Sequence, residues 1–307
     1  MISLIDVCET FWLYRQSWAK TAHYPSEATK CRRYLWYKWV GEGASNPTDA
    51  TGLWKMNIGT SIHDRVQNTI QTIAQDSELS GDFGLSGCSV DVELRTGEVW
   101  VDGSDKWGGV ELRYPVRGRI DLRLTEPDGT RSIHEIKSSY GRGVRAQKAE
   151  TIRDDYLVQG LFYLVAGFGE RVHYPIVSRD DGDRFELVVS LHKIKDGCDI
   201  RVDRLYKGVV MHSHFEPYKT FVDYIKRLDD VERALADGNM PERDYRAAIK
   251  NGEIRREFTH QGVKYKSDWQ CSYCEYRDRC WAAEVDENAE SHNADDFQGG
   301  EDAKAER

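Results

Sequence analysis

The chain has 307 residues, 39% hydrophobic and 31% charged, with a formal net charge of -9; that length and balance allow a sizeable buried core and exclude a chain without a folded body. The most apolar stretch, 157–168, is short and contains Gln159, so it reads as a core segment and not a membrane span. The first residues place Asp6 and Glu9 where a signal peptide needs an apolar run, and a cytoplasmic protein is expected.

The acidity does not exclude nucleic acid as a partner. From Ala282 onward nine acids face only Lys304 and Arg307, so -7 of the -9 resides there. The nearly neutral remainder can carry a basic groove, because nucleic-acid binding follows local potential. Residues 284–307 offer few apolar groups to offset their ordering entropy and are expected to be a disordered acidic tail after a single domain, 1–283.

In chain order, residues 1 to about 40 are rich in aromatic and basic side chains, as in helices that bury large rings on one side, and a glycine-containing loop follows. His63, Val66, Ile70 and Ile73 recur at helical spacing and predict an amphipathic helix from about Gly59 to Asp76, with His63 on or beside its buried face. From about Cys88 the period falls to two in three runs (SVDVELRTGEVWV, GGVELRYPVRGRIDLRL, SIHEIKSS), with a turn at Pro127-Asp128-Gly129, predicting an antiparallel sheet. A helix from about Asp154 to Gly167, strands over 171–178 and 184–193, and a helix from about Glu216 to Asp237 complete the pattern. This order indicates an α/β or α+β domain with a mixed central sheet flanked by helices.

The strand pair around the Pro127-Asp128-Gly129 turn is the sharpest local feature. Asp121 lies on its first strand, and Glu135 and Lys137, two apart, project from one face of the second. The turn sets the strands side by side, so two carboxylates and a lysine converge. Carboxylate oxygens suit hard cations such as Mg²⁺ or Mn²⁺, and an adjacent lysine can neutralise charge developing on a phosphate. The spacing D-x(13)-E-x-K alone also describes a charged surface hairpin. Gln159 and Tyr163, four apart on the next helix, and His63 on an earlier one add context.

These elements, in this order, resemble the RecB-like branch of the PD-(D/E)XK nucleases over roughly residues 30 to 281. The resemblance implies the restriction-endonuclease-like fold. It also implies that His63 in GTSIHDR, Asp121 in GRID, Glu135 in EIK and the backbone carbonyl of Ile136 hold Mg²⁺ or Mn²⁺, and that Lys137 is the motif lysine. Gln159 and Tyr163 match the family's Q-x-x-x-Y, which supports that lysine and contacts phosphate. Glu135 stands where many relatives carry Asp. A further family acid on the preceding strand is either Glu93 or Glu111.

Seven cysteines in an intracellular chain do not suggest disulfides. Cys271, Cys274 and Cys280, within ten residues, suggest a metal that needs a fourth ligand; zinc and a 4Fe-4S cluster both fit the spacing. C-x(2)-C-x(5)-C paired with a distant N-terminal cysteine resembles the iron-sulfur members of the same branch, among them the CRISPR-associated type-four exonucleases and the AddB nuclease domain. That likeness implies Cys31, ahead of a basic-aromatic helix, as the fourth ligand in preference to Cys8, and a 4Fe-4S clasp joining the two ends of the domain. Cys88 and Cys198 fit no ligand pattern and read as buried thiols.

Arg142, Arg145 and Lys148 in a glycine-containing loop are candidate phosphate contacts, although a solvated loop has the same composition. The expectation is a metal-dependent DNA exonuclease on single strands or resected ends, with 5′ to 3′ polarity by resemblance. Helicase, recombinase or CRISPR adaptation proteins are its expected partners, since no G-x(4)-GK-[ST] is present. The alternative is a catalytically idle DNA-end-binding adaptor.

Overall fold

A computed structural model describes residues 20–140, 144, 152–194, 197–250, 253–255, 257–260 and 263–287. Cys8, Arg142, Arg145, Lys148 and the tail beyond Glu287 lie outside the described residues.

An eight-stranded mixed sheet organises the molecule. Its strands are β1 (Ser89–Arg95), β2 (Arg119–Thr125), β3 (Arg131–His134), β4 (Lys137–Ser139), β5 (Arg171–Ser178), β6 (Arg184–Ile194), β7 (Gly197–Tyr206) and β8 (Val209–Pro217). They run in the order β1-β2-β3-β5-β6-β7-β8, with β4 also pairing β5. The pairings of β3 and β4 with β5 are parallel and the rest antiparallel. Helices α1 (Arg32–Val40), α2 (Ala50–Gln75), α3 (Ser77–Asp82), α4 (Asp154–Val165), α5 (Tyr218–Asp237), α6 (Trp269–Ser272) and α7 (Arg277–Glu287) surround it. The short hairpins β9 (Ala248–Lys250)/β10 (Glu253–Arg255) and β11 (Glu257–His260)/β12 (Val263–Lys266) precede the last two helices.

The core lies between the sheet and α4 with α5. Leu157, Val158, Leu161 and Phe162 of α4 and Phe221, Ile225 and Leu228 of α5 pack on Ile133, Val172, Tyr174, Leu187 and Val202. The apolar side of α4 comes so close to β5 that a Cβ on Gly160 would lie 2.1 Å from the Tyr174 hydroxyl. Only glycine fits there. Helix α1 packs on α5, and Cys271 and Trp281 form a separate, smaller cluster with Ala247.

The mixed sheet flanked by helices is the architecture expected, with local differences. The runs expected to form an antiparallel sheet from about Cys88 pair as strands only in part: between β1 and β2, Val99↔Val116 and Asp102↔Glu111 are isolated bridges around a 3-10 turn at Asp105–Trp107. The Trp107 ring is fully buried there, 5.4 Å from that of Phe162, and burying it favours the turn over strand continuation. Helix α2 begins nine residues before Gly59, because the Asp49 side chain caps it by accepting from Gly52 N at 2.7 Å. The β7–β8 hairpin was not expected, nor was the extension of α7 to Glu287, past the expected boundary of the tail. Cys88 is half-buried, not the buried thiol expected. No described helix is long and apolar enough to cross a membrane.

Candidate active site

The second strand of the acidic hairpin is split. β3 ends at His134 and β4 begins at Lys137, yet their register against β5 continues across the gap, since His134 faces His173 and Lys137 faces Ile176. Glu135 N still donates to His173 O (2.8 Å). Ile136 N turns the other way and donates to Asp121 Oδ2 at 2.8 Å. The Asp121 carboxylate thus takes a backbone donor from the ladder and is fixed beside Glu135.

Glu135 is 1% exposed. Its Oε2 accepts from Lys137 Nζ (3.0 Å) and Gln159 Nε2 (2.7 Å), while Gln159 Oε1 accepts from Lys137 Nζ (3.1 Å). Gln159 Nε2 also lies 3.5 Å from Tyr163 Oη, which donates to Arg119 O at 3.2 Å. The ammonium lies 5.4 Å from the Tyr156 ring centroid and 6.0 Å from that of Tyr174. Glu135 Oε1, in contrast, is buried without a protein partner. A buried carboxylate oxygen without a partner is costly and suits a cation.

Helix α2 supplies the other wall. His63 Nδ1 lies 3.5 Å from Asp121 Oδ2. One turn on, Gln67 Nε2 donates to Asp121 O and to Glu93 Oε1, both at 2.8 Å. Glu93 also pairs with Arg119 (2.7 Å) and has φ +54°, a left-handed conformation uncommon for a residue with a side chain. Of the two acids left open by the sequence, Glu93 is the one beside Asp121. Glu111 is in the distant bridge to Asp102. Gln67 lies four residues after His63, a spacing that places both on one helix face but carries no ligand signal of its own.

Burial pushes Glu135 up to about 7, against the pull of Lys137, and raises Asp121 as well. Burial lowers His63, which is therefore held neutral, the state that ligates metal. Burial also pulls Lys137 down, but Glu135 and Asp121 outweigh it and hold its ammonium above the usual lysine range. His63, Asp121 and Glu135 do not have ligand atoms all within 4.8 Å of one another; Lys137 and Gln159 hold the Glu135 carboxylate on the α4 side.

The cysteines gather beside the N-terminal part of α2, with Met56 lining their cavity two turns before His63. Cys31, the residue before α1, and Cys271, Cys274 and Cys280 line a cavity of about 340 Å³ together with Tyr34 and Arg243. Asp244 N donates to Cys31 Sγ (3.5 Å), and an Arg33 nitrogen lies 4.0 Å from Cys280 Sγ. Burial, then the neighbouring thiols, push Cys271 up to about 12, and burial takes Cys274 to about 11. Such a set is protonated until a metal displaces the protons. The loop before α2 is tied to this region, Asn46 N donating to Glu275 O (2.7 Å) and Asn46 Nδ2 to Cys274 O (3.1 Å).

The model of the PD-(D/E)XK nuclease superfamily matches residues 19–281. No curated protein matches the chain. A solved structure described as "Crystal structure of SSO0001" is similar over 89% of this chain and 92% of that one, with 15% identity and a TM-score of 0.43.

Proposed function

The chain belongs to the PD-(D/E)XK nuclease superfamily, whose members are metal-dependent nucleases, and from that premise we propose that it is a DNA exonuclease. Its substrates are single strands or resected ends, cut with 5′ to 3′ polarity in recombination, repair or CRISPR adaptation, beside a helicase or recombinase that opens the duplex. The observation that carries the reading is the open, buried Oε1 of Glu135 next to a lysine ammonium locked by Gln159. A structural ion pair has no use for an unsatisfied carboxylate oxygen.

Asp121, Glu135, His63 and the Ile136 carbonyl would hold Mg²⁺ or Mn²⁺, which supplies Lewis acidity toward phosphate and an acidified water when bound. Glu93, set by Gln67, adds charge on the same side. Lys137 keeps its proton and offers a fixed cation to the charge that develops on phosphate. Gln159 and the rings of Tyr156 and Tyr174 limit where that ammonium points.

Cys31, Cys271, Cys274 and Cys280 would hold a 4Fe-4S cluster that clasps the two ends of the domain. All four donors are thiols that line one cavity. Four thiolates suit either a zinc ion or a 4Fe-4S cluster, and the likeness of C-x(2)-C-x(5)-C with a distant N-terminal cysteine to iron-sulfur nucleases favours the cluster.

Digestion of end-labelled single- and double-stranded DNA with Mg²⁺, Mn²⁺ or EDTA tests the reading. Ion-dependent shortening from a 5′ end supports it. Binding without cleavage under either ion would make the chain an end-binding adaptor.

A further inference from the structure

On the sheet face turned away from the acids, three strands bring together a second set of metal-ligating groups. Alternate strand residues face opposite sides, so His134 projects away from its neighbours Ile133, which enters the core, and Glu135, which enters the active site. His173 is opposite His134 in the parallel β3–β5 register, and Glu186 on β6 lies diagonally beyond, facing Pro175. One ligand atom from each of His134, His173 and Glu186 lies within 4.8 Å of the other two, and no other group of three or more His, Cys, Asp or Glu residues among the described residues meets that limit.

We propose that His134, His173 and Glu186 form a binding site for a divalent transition metal, with Zn²⁺ or Co²⁺ as the ion taken. Two imidazoles and one carboxylate are a donor set of intermediate softness that suits these ions better than Mg²⁺. His173 Nδ1 and Glu186 Oε1, 2.7 Å apart, already converge on one point, and an ion takes the place of the proton between them. The His134 and His173 rings, stacked with centroids 4.6 Å apart, reach a common ion by rotation about χ2, a soft torsion. Zinc–nitrogen bonds of about 2.0–2.1 Å put ligand atoms about 3.3 Å apart, so the trio contracts modestly. With His134 Nδ1 as the ligand atom, Ser132 Oγ, 3.2 Å from His134 Nε2, would supply the outer hydrogen bond that orients a metal-bound histidine. Glu186 is about one-third exposed, with a side-chain exposure of 32%, which leaves a way in. Arg171, the nearby cation, pairs with Glu126 (3.3 Å). The site is independent of the nuclease reading, and an ion in it would pin β3 to β5 and β6 directly behind Glu135.

Zinc retained by the full chain after desalting, measured by elemental mass spectrometry, is compared for wild type, His173→Asn and Glu186→Gln, with a Co²⁺ titration followed by visible absorption. The wild type should retain one more equivalent than either variant. Its extra Co²⁺ should give d–d bands without a thiolate charge-transfer band, and each substitution should weaken binding at least about tenfold. A second measurement needs no variant: zinc should protect His134 and His173 of the wild type from diethylpyrocarbonate, read by peptide mass. Equal retention by all three proteins overturns the proposal. So does unchanged modification of both histidines in the presence of zinc.

Discussion

Lys137 Nζ lies 3.0 Å from Glu135 Oε2 across the break between β3 and β4, so the motif lysine is also the counter-ion of a fully buried carboxylate. Lys137→Ala should lower cleavage by a factor on the order of 10² or more, the scale of losing one transition-state stabiliser. It should also leave Glu135 without its cation. The carboxyl, already raised to about 7 with the lysine in place, then rises further. Stability is lost as pH climbs from the unfolded value through the folded one, so the loss spans a wider pH range in the variant than in the wild type. Thermal melts across pH, beside single-turnover cleavage, measure both effects. A fully active variant would remove Lys137 from the chemistry.

Glu135 pushed up to about 7 has a consequence for the ion. Below that pH an incoming cation must displace a proton, so Mn²⁺ affinity should fall up to about tenfold per pH unit as pH drops from about 7. Lys137, held above the usual lysine range, stays charged throughout. Titration by electron paramagnetic resonance at several pH values checks this. A flat affinity would mean that Glu135 does not bind the ion.

Glu93 and Glu111 should separate. Glu93→Gln removes an acid tied to Gln67 and set beside Asp121, and should weaken Mn²⁺ binding and activity by about tenfold or more. Glu111→Gln, at the Asp102 bridge, should leave both near wild type. Equal behaviour of the two variants would move the additional acid elsewhere.

Gly160→Ala places a Cβ against the Tyr174 hydroxyl. Overpacking of this kind costs about 1–3 kcal/mol, visible as a lower denaturation midpoint. Because α4 also carries Gln159 and Tyr163, activity should fall before the fold is lost.

Cys31→Ala should abolish the visible absorbance and bound iron of the purified protein, while Cys8→Ala should keep them. Cys31 and Cys271 close a loop of about 240 residues, and a link of that length is worth several kcal/mol. New proteolytic cuts should therefore appear near both ends. Stoichiometric zinc without iron would replace the cluster with a zinc site.

Much of the frame was legible because burial follows period. The alternation in RVHYPIVS predicts β5, and the apolar run after Asp154 predicts α4. β7 and β8 were not legible: charges at Arg201, Asp203 and Arg204 break the apolar pattern of β7, and β8 is largely exposed. In the active site, the motif spacing showed which residues meet, but not the break at Glu135-Ile136. That break depends on the Asp121 carboxylate competing for one backbone donor, a contact between residues 15 apart. The choice of Glu93 over Glu111 rests on strand register, which no local pattern carries.

The Asn46 tether has a mechanical consequence. Asn46 is bound to Cys274 and Glu275, and four residues later α2 begins, running as one 26-residue helix past His63 and Gln67. At 1.5 Å per residue, His63 sits about 20 Å along a rod whose near end is anchored beside the cysteines. A helix transmits tilt better than a loop does, so α2 is a lever. If the cysteine site is a clasp, opening it would free the Asn46 end of α2 and ease the hold on the histidine and glutamine beside Asp121.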